Sequence, residues 1–424
     1  MFTLPSSAAL LNRRGLLALA GAWGVSWGAS LLSPRQARAR GLERPTSLLT
    51  IWLAGGPSQL ETWDPHPGSV IGGDTQAIDT SLPGVQIAGF YPQLAEQLTH
   101  LNVLRSLVSK EGDHERGTYL VKTGYRPDPT LVHPAVGAIV AHERPNAEVR
   151  VPLHVSLNPR GWPARGGYLG DQLDAFKVFD PRGGLTNVKA QVDTQRQERR
   201  VAGLQVLEQA FRKGRHRASQ PALHADTVRR ALDMMDSEQL AAFEIDGEPA
   251  GVRGAYGDTS FGRGCLAARR LLERGVRAIE VTLDGFDSHV NNHETHKARG
   301  AELDPALATL VKELVERDLL QSTVLLVVGE FGRTPRINPA GGRDHWPGGF
   351  SCLLGGGGLQ RGRVLGATDP KGERMQPERP IEIADLYATI LETLGIDFTQ
   401  EHLTPIGRPM AYSQGTPIEE LLAG

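Results

Sequence analysis

The sequence predicts an α/β protein built on a mostly parallel sheet with helices on both faces. Strand-like and helix-like patterns alternate along the chain, which is the order of a crossover fold. The strand-like segments are continuous apolar runs, as strands covered on both faces require. The 50 glycines and 28 prolines mark long loops of defined shape between these runs.

Taken in order, Ser47 to Leu53 (SLLTIWL) is a central strand stopped by Ala54-Gly55-Gly56-Pro57. Leu101 to Leu107 (LNVLRSL) and Val151 to Leu157 (VPLHVSL) read as further strands. Residues 191–240 are charged and helical, with Val206, Leu207 and Ala210, then Val228, Ala231, Leu232 and Met235, at helical spacing. They suggest a helical insertion over about residues 190–255. Ser260 to Arg274 reads as a helix and Val276 to Leu283 (VRAIEVTL) as a strand. Leu303, Leu307, Leu310 and Leu314 share one helical face. Thr323 to Val328 and Phe350 to Leu354 are strands, and Ile381 to Leu394 is a helix. No repeat, low-complexity tract or linker interrupts the chain, so one domain is expected over residues 40–424.

Residues 1–39 read differently. Arg13-Arg14 precede the apolar run GLLALAGAWGVSWGASLL, and Ala37-Arg38-Ala39 offers small residues to a signal peptidase. A twin-arginine (Tat) export signal is expected, with a mature chain in the periplasm or outside the cell. Contact with a membrane would come only through an uncleaved leader. The net charge of −2 gives no field for nucleic acid. The two cysteines, Cys265 and Cys352, have no metal-type spacing. Both suit buried apolar positions, and an exported chain can also pair them.

In an α/β sheet, ligands gather at the carboxyl ends of strands. Four loops there are dense in polar groups. Gly55–Pro65 offers Ser58, Glu61 and Asp64; Ser109–Tyr125 offers Asp113, His114, Glu115, Arg116, Thr118 and Lys122. Asp284–His296 offers Asp287, His289, His293 and His296, and Gly329–Pro347 offers Glu330, Arg333, Asp344 and His345. Imidazole with carboxylate is the donor set of zinc, manganese or iron. Each residue alone has an ordinary structural role open to it: Asp287 an Asx turn, Asp344 a loop cap, Arg333 a partner for Glu330. Ser58 can present a nucleophile or cap the next turn. The pair His293 and His296 lacks the H-E-x-x-H spacing, so no zincin helix is expected.

Together, LAGGPSQLETWDP, DHERGTYLVKTGYRPDPTLVHPAVGA, GFDSHVNNHETH, GEFGRTPRINPAGGRDHWP and IADLYATILETLGID resemble the DUF1501 family over nearly the whole mature chain. That family is similar to the alkaline phosphatase/sulfatase superfamily. The resemblance implies a three-layer α/β/α sandwich with a mixed, mostly parallel sheet and a metal site at the strand ends. It implies metal ligands at Asp287, His289, Glu330, Asp344 and His345, with His293 a further option, and a divalent ion: zinc, calcium or manganese. Phe331 stands where the superfamily has a histidine. The first strand ends without the usual Asp, so Glu61 or Asp64 would substitute. The sulfatase C-x-P-S-R is absent, its region carrying Asp113-His114-Glu115-Arg116. Catalytic roles are therefore open to Ser58, His114, Arg116, Thr118 and Arg333, or to a metal-bound water as nucleophile.

The expected function is hydrolysis of phosphate or sulfate esters, on a small molecule or a glycan. The alternative is a non-catalytic binding or assembly protein on the same fold. An oxidoreductase ranks below both, because no G-x-G-x-x-G follows a strand and no haem or Fe–S cysteine pattern occurs.

Overall fold

A computed structural model of the protein describes residues 44–183, 185, 188–213 and 219–423. The expected export signal lies outside them. Residues Arg44 to Ala423 form one compact unit.

The frame is a nine-stranded sheet. Its strands are β1 (Ser47–Leu53), β2 (Leu101–Val108), β3 (His154–Leu157), β4 (Phe176–Val178), β5 (Ala278–Leu283), β6 (Thr323–Val328), β7 (Phe350–Gly356), β8 (Val364–Leu365) and β9 (Ile381–Glu382). The order across the sheet is β8-β2-β7-β6-β1-β5-β3-β4, with β9 also on β2. Every ladder is parallel except the two made by β7. The sheet is thus mixed and mostly parallel.

The helices are α1 (His114–Thr123), α2 (Val136–Glu143), α3 (Thr194–Lys213), α4 (Ser219–Met235), α5 (Ala250–Tyr256), α6 (Ser260–Glu273), α7 (Asn292–Glu316) and α8 (Ile383–Thr393). Strand alternation sorts the core into two layers. Leu49, Ile51 and Leu53 of β1 pack with Phe261 and Leu266 of α6 and Leu303 and Leu307 of α7. Leu48 and Trp52 point to the other face, among Val136 and Ile139 of α2 and Leu386 and Ile390 of α8. The result is an α/β/α sandwich.

The structure moves some expected boundaries. Strand β3 starts at His154 rather than Val151, since Pro152 has no N–H to give a ladder. Helix α7 begins at Asn292, so His293 and His296 sit on a helix and not in a loop. The segment read as the loop Ser109–Tyr125 contains α1. Its signals are local: the Asp113 carboxylate accepts from the amides of Glu115 (3.0 Å) and Arg116 (3.1 Å), and Gly124 closes the helix at φ 77°. The family resemblance implies a helix over Gly117–Gly124, and the structure extends it back to His114, a first turn whose charge hides it from a reading based on apolar periodicity.

Both cysteines are free. Cys265 belongs to the core layer under α6 and α7, and Cys352 to the opposite layer, so the sheet lies between them. Burial pushes both thiols up. Among the described residues, no helix is long and apolar enough to cross a membrane.

Candidate metal centre

Strands β5, β1 and β6 are parallel neighbours, so their carboxyl ends share one edge of the sheet. The loops leaving them meet the N-terminus of α1. Their approach is close: a Cβ on Gly55 would lie 2.5 Å from the Asp287 amide nitrogen, and the residue has φ 108°. A two-residue ladder pairs Arg333 with His345 and Gly332 with Trp346, folding the long loop after β6 back on itself. That ladder carries Asp344 and His345 to the edge where Asp287 waits.

Three imidazoles converge on Asp287. His345 Nδ1 donates to the Gly112 carbonyl (2.7 Å), which leaves Nε2 as a bare lone pair. His289 Nδ1 lies 2.9 Å from Asp344 Oδ1 and donates to that carboxylate, so its Nε2 is bare too. His114 Nδ1 lies 2.8 Å from Glu330 Oε1 and donates in the same way. The two bare nitrogens of His289 and His345 face each other at 3.0 Å. Asp287 Oδ1 is 3.2 Å from the first and 3.3 Å from the second, and Asp287 Oδ2 is 3.3 Å from His114 Nε2.

Lone pairs and a carboxylate at such distances repel unless a proton or a metal cation lies among them. Histidines that bind metal commit the other ring nitrogen to a carboxylate or a carbonyl in this manner. His114, Asp287 and His345 each bring one donor atom, all within 4.8 Å of one another. His114 Nε2 and Glu330 Oε2 are also buried without a hydrogen-bond partner, a costly condition in an ion-free interior. The donor set fits a divalent ion.

The electrostatics of Asp287 and His345 run the same way, while His114 is held toward its imidazolium, so an ion there displaces a proton. Burial works to raise the Asp287 carboxyl, but the Arg333 guanidinium at 2.6 Å overrides it and holds the group down at about 2. The hydrogen bond to Glu330 raises His114 against its own burial. Burial lowers His345, and the hydrogen bond from His289 lowers Asp344. Asp287 and His289 are each 46% exposed, so the cluster opens to solvent, while the Phe331 ring packs behind His345 at 4.5 Å.

The residues expected from the sequence sort into groups. Asp287, His289, Asp344, His345, Glu330 and His114 come together. Glu330 and Asp344 orient imidazoles, each touching the cluster through a ring nitrogen, whereas His114 joins as a donor to the ion. Arg333 is fully buried. It donates to the carbonyls of Gly56 (2.8 Å) and Arg343 (3.0 Å) and to that of Gly55, so its charge faces Asp287 rather than solvent. Arg116 holds Glu111 with two contacts, 2.7 and 3.0 Å. Ser58 is buried, its hydroxyl accepting from the Leu60 amide, the capping role. Thr118 is buried inside α1. Neither hydroxyl is a partner of the cluster. His293 is not among its partners either. Glu61 is taken by Arg343 at 2.9 Å and Asp64 by Thr368, Arg105 and His66, so neither substitutes for a first-strand ligand.

Among solved structures, the lipoteichoic acid synthase LtaP from Listeria monocytogenes is 10% identical. It covers 89% of this chain and 76% of its own, with a TM-score of 0.39. An alkaline phosphatase superfamily protein from Vibrio parahaemolyticus is 13% identical over 84% and 68% of the two chains, with a TM-score of 0.36. A 2-O GAG sulfatase is 8% identical over 84% and 71%, with a TM-score of 0.39. These are loose superpositions, and nothing about the chemistry of this site is taken from them. No curated protein matches the sequence. The family model described as "Protein of unknown function (DUF1501)" matches residues 45–422, and the chain therefore belongs to the DUF1501 family.

Proposed function

We propose that the chain is a metal-dependent hydrolase of phosphate or sulfate esters, taking small-molecule or glycan esters, and that its twin-arginine leader sends it to the periplasm or beyond. The observation that carries the enzymatic reading is the ring of bare Nε2 atoms around Asp287, each held by an Nδ1–H committed outward. His114, Asp287 and His345 would hold the ion. Two imidazoles and a carboxylate favour zinc or manganese over calcium, which takes oxygen ligands. A bound ion supplies positive charge that polarises the ester and steadies the charge developing on it.

The chain's own groups do the rest. Glu330 and the Gly112 carbonyl fix the tautomers of His114 and His345. Arg333 holds Asp287 ionised and aimed. His289, half exposed and hydrogen-bonded to Asp344, is the group placed to take a proton from an attacking water. Water is the nucleophile in this reading, because the Ser58 and Thr118 hydroxyls do not reach the cluster.

That last point also favours a second reading, a binding protein without turnover. Metal content by mass spectrometry on untagged protein, beside His345→Ala and Asp287→Ala, tests the centre. About one ion per chain in the wild type, lost in both variants, is expected. Steady hydrolysis of a generic phosphate or sulfate ester, lost with the metal, then separates enzyme from binder. Wild-type protein without metal, or variants that keep it, would overturn the reading.

A further inference from the structure

A second concavity lies at the opposite end of α1 from the metal centre. It is an open pocket of ≈400 Å³ walled by Tyr125, Arg126, Asp128, His133, Arg408 and Gln414, a volume in the range of ligand sites. The His133 ring stacks flat on Tyr125, centroids 4.4 Å apart and planes 7° apart. His133 is 3% exposed, and its Nε2 is buried without a partner. The Tyr119 hydroxyl accepts from the His133 backbone amide (2.7 Å) and sits 3.0 Å from Nδ1. Its own hydrogen is thereby directed to Nδ1, which puts the ring N–H on Nε2. A buried donor with no acceptor in the protein points to an acceptor from outside it.

The remaining walls name the chemistry. Arg126 and Arg408 are more than half exposed, and each is steadied by one carboxylate: Arg126 by Glu111 at 2.6 Å, Arg408 by Asp128 at 3.1 Å. Each guanidinium keeps further N–H groups for an anion. Asp128 and Gln414 offer acceptors for hydroxyls, and the half-buried Tyr125 ring, held by His133 stacked on it, offers an aromatic surface for C–H faces. Aromatic surface, cations and hydroxyl acceptors together suit an anionic sugar.

The pocket is tied to the metal centre through one short segment. Glu111, which anchors Arg126, precedes Gly112, whose carbonyl orients His345. We propose that this pocket is a subsite for one acidic or sulfated saccharide residue, carried by the same molecule whose ester is presented to the metal centre. Only that last clause rests on the proposed function.

Titration calorimetry of the full chain with a sulfated, uronate-containing disaccharide tests it. The disaccharide is expected to bind, and Arg408→Gln to weaken binding roughly 10-fold or more, the loss of one charged hydrogen bond. Gln414→Ala provides a second variant, should Arg408→Gln disturb the fold. Asp287→Ala is expected to leave binding in place. Three results would overturn the subsite: no binding by the wild type, equal binding by both pocket variants, or inorganic sulfate binding as tightly with the same dependence on Arg408. Binding lost in Asp287→Ala but kept in Arg408→Gln would put the sugar at the metal centre, overturning the subsite while leaving the hydrolase reading intact. Arg408-dependent binding by a protein with no turnover would do the reverse.

Discussion

His296 and His345 lie near the same edge of the sheet, yet their nitrogens are used in opposite ways. In His296, Nδ1 donates to the Asn292 carbonyl (3.0 Å) and Nε2 accepts from the Ser58 amide (2.9 Å), so both ring atoms are satisfied by the chain. Beside it, fully buried Arg343 bonds Glu61 and the carbonyls of Ile71 (2.8 Å) and Thr334 (3.2 Å). In His345 only Nδ1 has a lasting protein partner, and Nε2 faces another lone pair. Residue type does not separate scaffold from site here. The count of hydrogen bonds left over does.

The largest effect should fall on the scaffold. Arg343→Met leaves Glu61 buried and uncompensated, at a cost of about 3–5 kcal/mol in urea denaturation of the metal-free protein. A loss under 1 kcal/mol would put the two networks on one footing and break the contrast. Asp344→Ala should act the other way. The half-exposed Asp344 contributes little to the metal-free fold, but its loss frees the His289 ring. Ester turnover should fall roughly 10–100-fold, with metal content and the denaturation midpoint of the metal-free protein unchanged.

The contrast sharpens with pH. Burial pushes His296 below its ordinary value, so the unfolded chain takes up the proton first. Stability from the neutral ring is complete above about pH 6.5 and is lost as pH falls below it, at up to about 1.4 kcal/mol per pH unit. His296→Phe removes that contribution, so its unfolding free energy should fall less steeply than the wild type's between pH 7 and 5. Equal slopes would show that His296 is not held neutral. The smallest effect belongs to a control outside both networks. Lys297 and Glu294 are 3.5 Å apart and well exposed, so Lys297→Ala should shift stability by less than about 0.5 kcal/mol and leave metal content alone.

The frame of this molecule was legible because burial on both faces leaves its strands largely apolar. SLLTIWL and TVLLVV needed no context. Those same strand ends pointed to the loops where Asp287, His289, Glu330, Asp344 and His345 meet. Roles within the cluster were less legible. Glu330 divides its two oxygens, Oε1 on Gly55 and His114 and Oε2 without a partner in the protein, a division no sequence pattern shows. Arg333 reads as open to a catalytic role until its donors are found on Gly55, Gly56, Arg343 and Asp287. These assignments depend on partners far along the chain, and on a two-residue ladder too short to leave a pattern. Ser58 was the exception: its capping role was written locally, in a hydroxyl two residues before the amide it binds.

The place of β1 has a consequence for how the chain is made. Leu48 is registered with Ala278 on one side and Val324 on the other, so β1 leaves the ribosome before both strands that flank it. At ~5–20 residues per second, it waits on the order of tens of seconds for both neighbours. During that time a seven-residue, uncharged, β-prone segment has both edges open, the kind of segment that seeds aggregates. The nascent chain thus depends on whatever shields those residues until Val328 has emerged, and yield on expression should be governed by that interval rather than by the stability of the finished sheet.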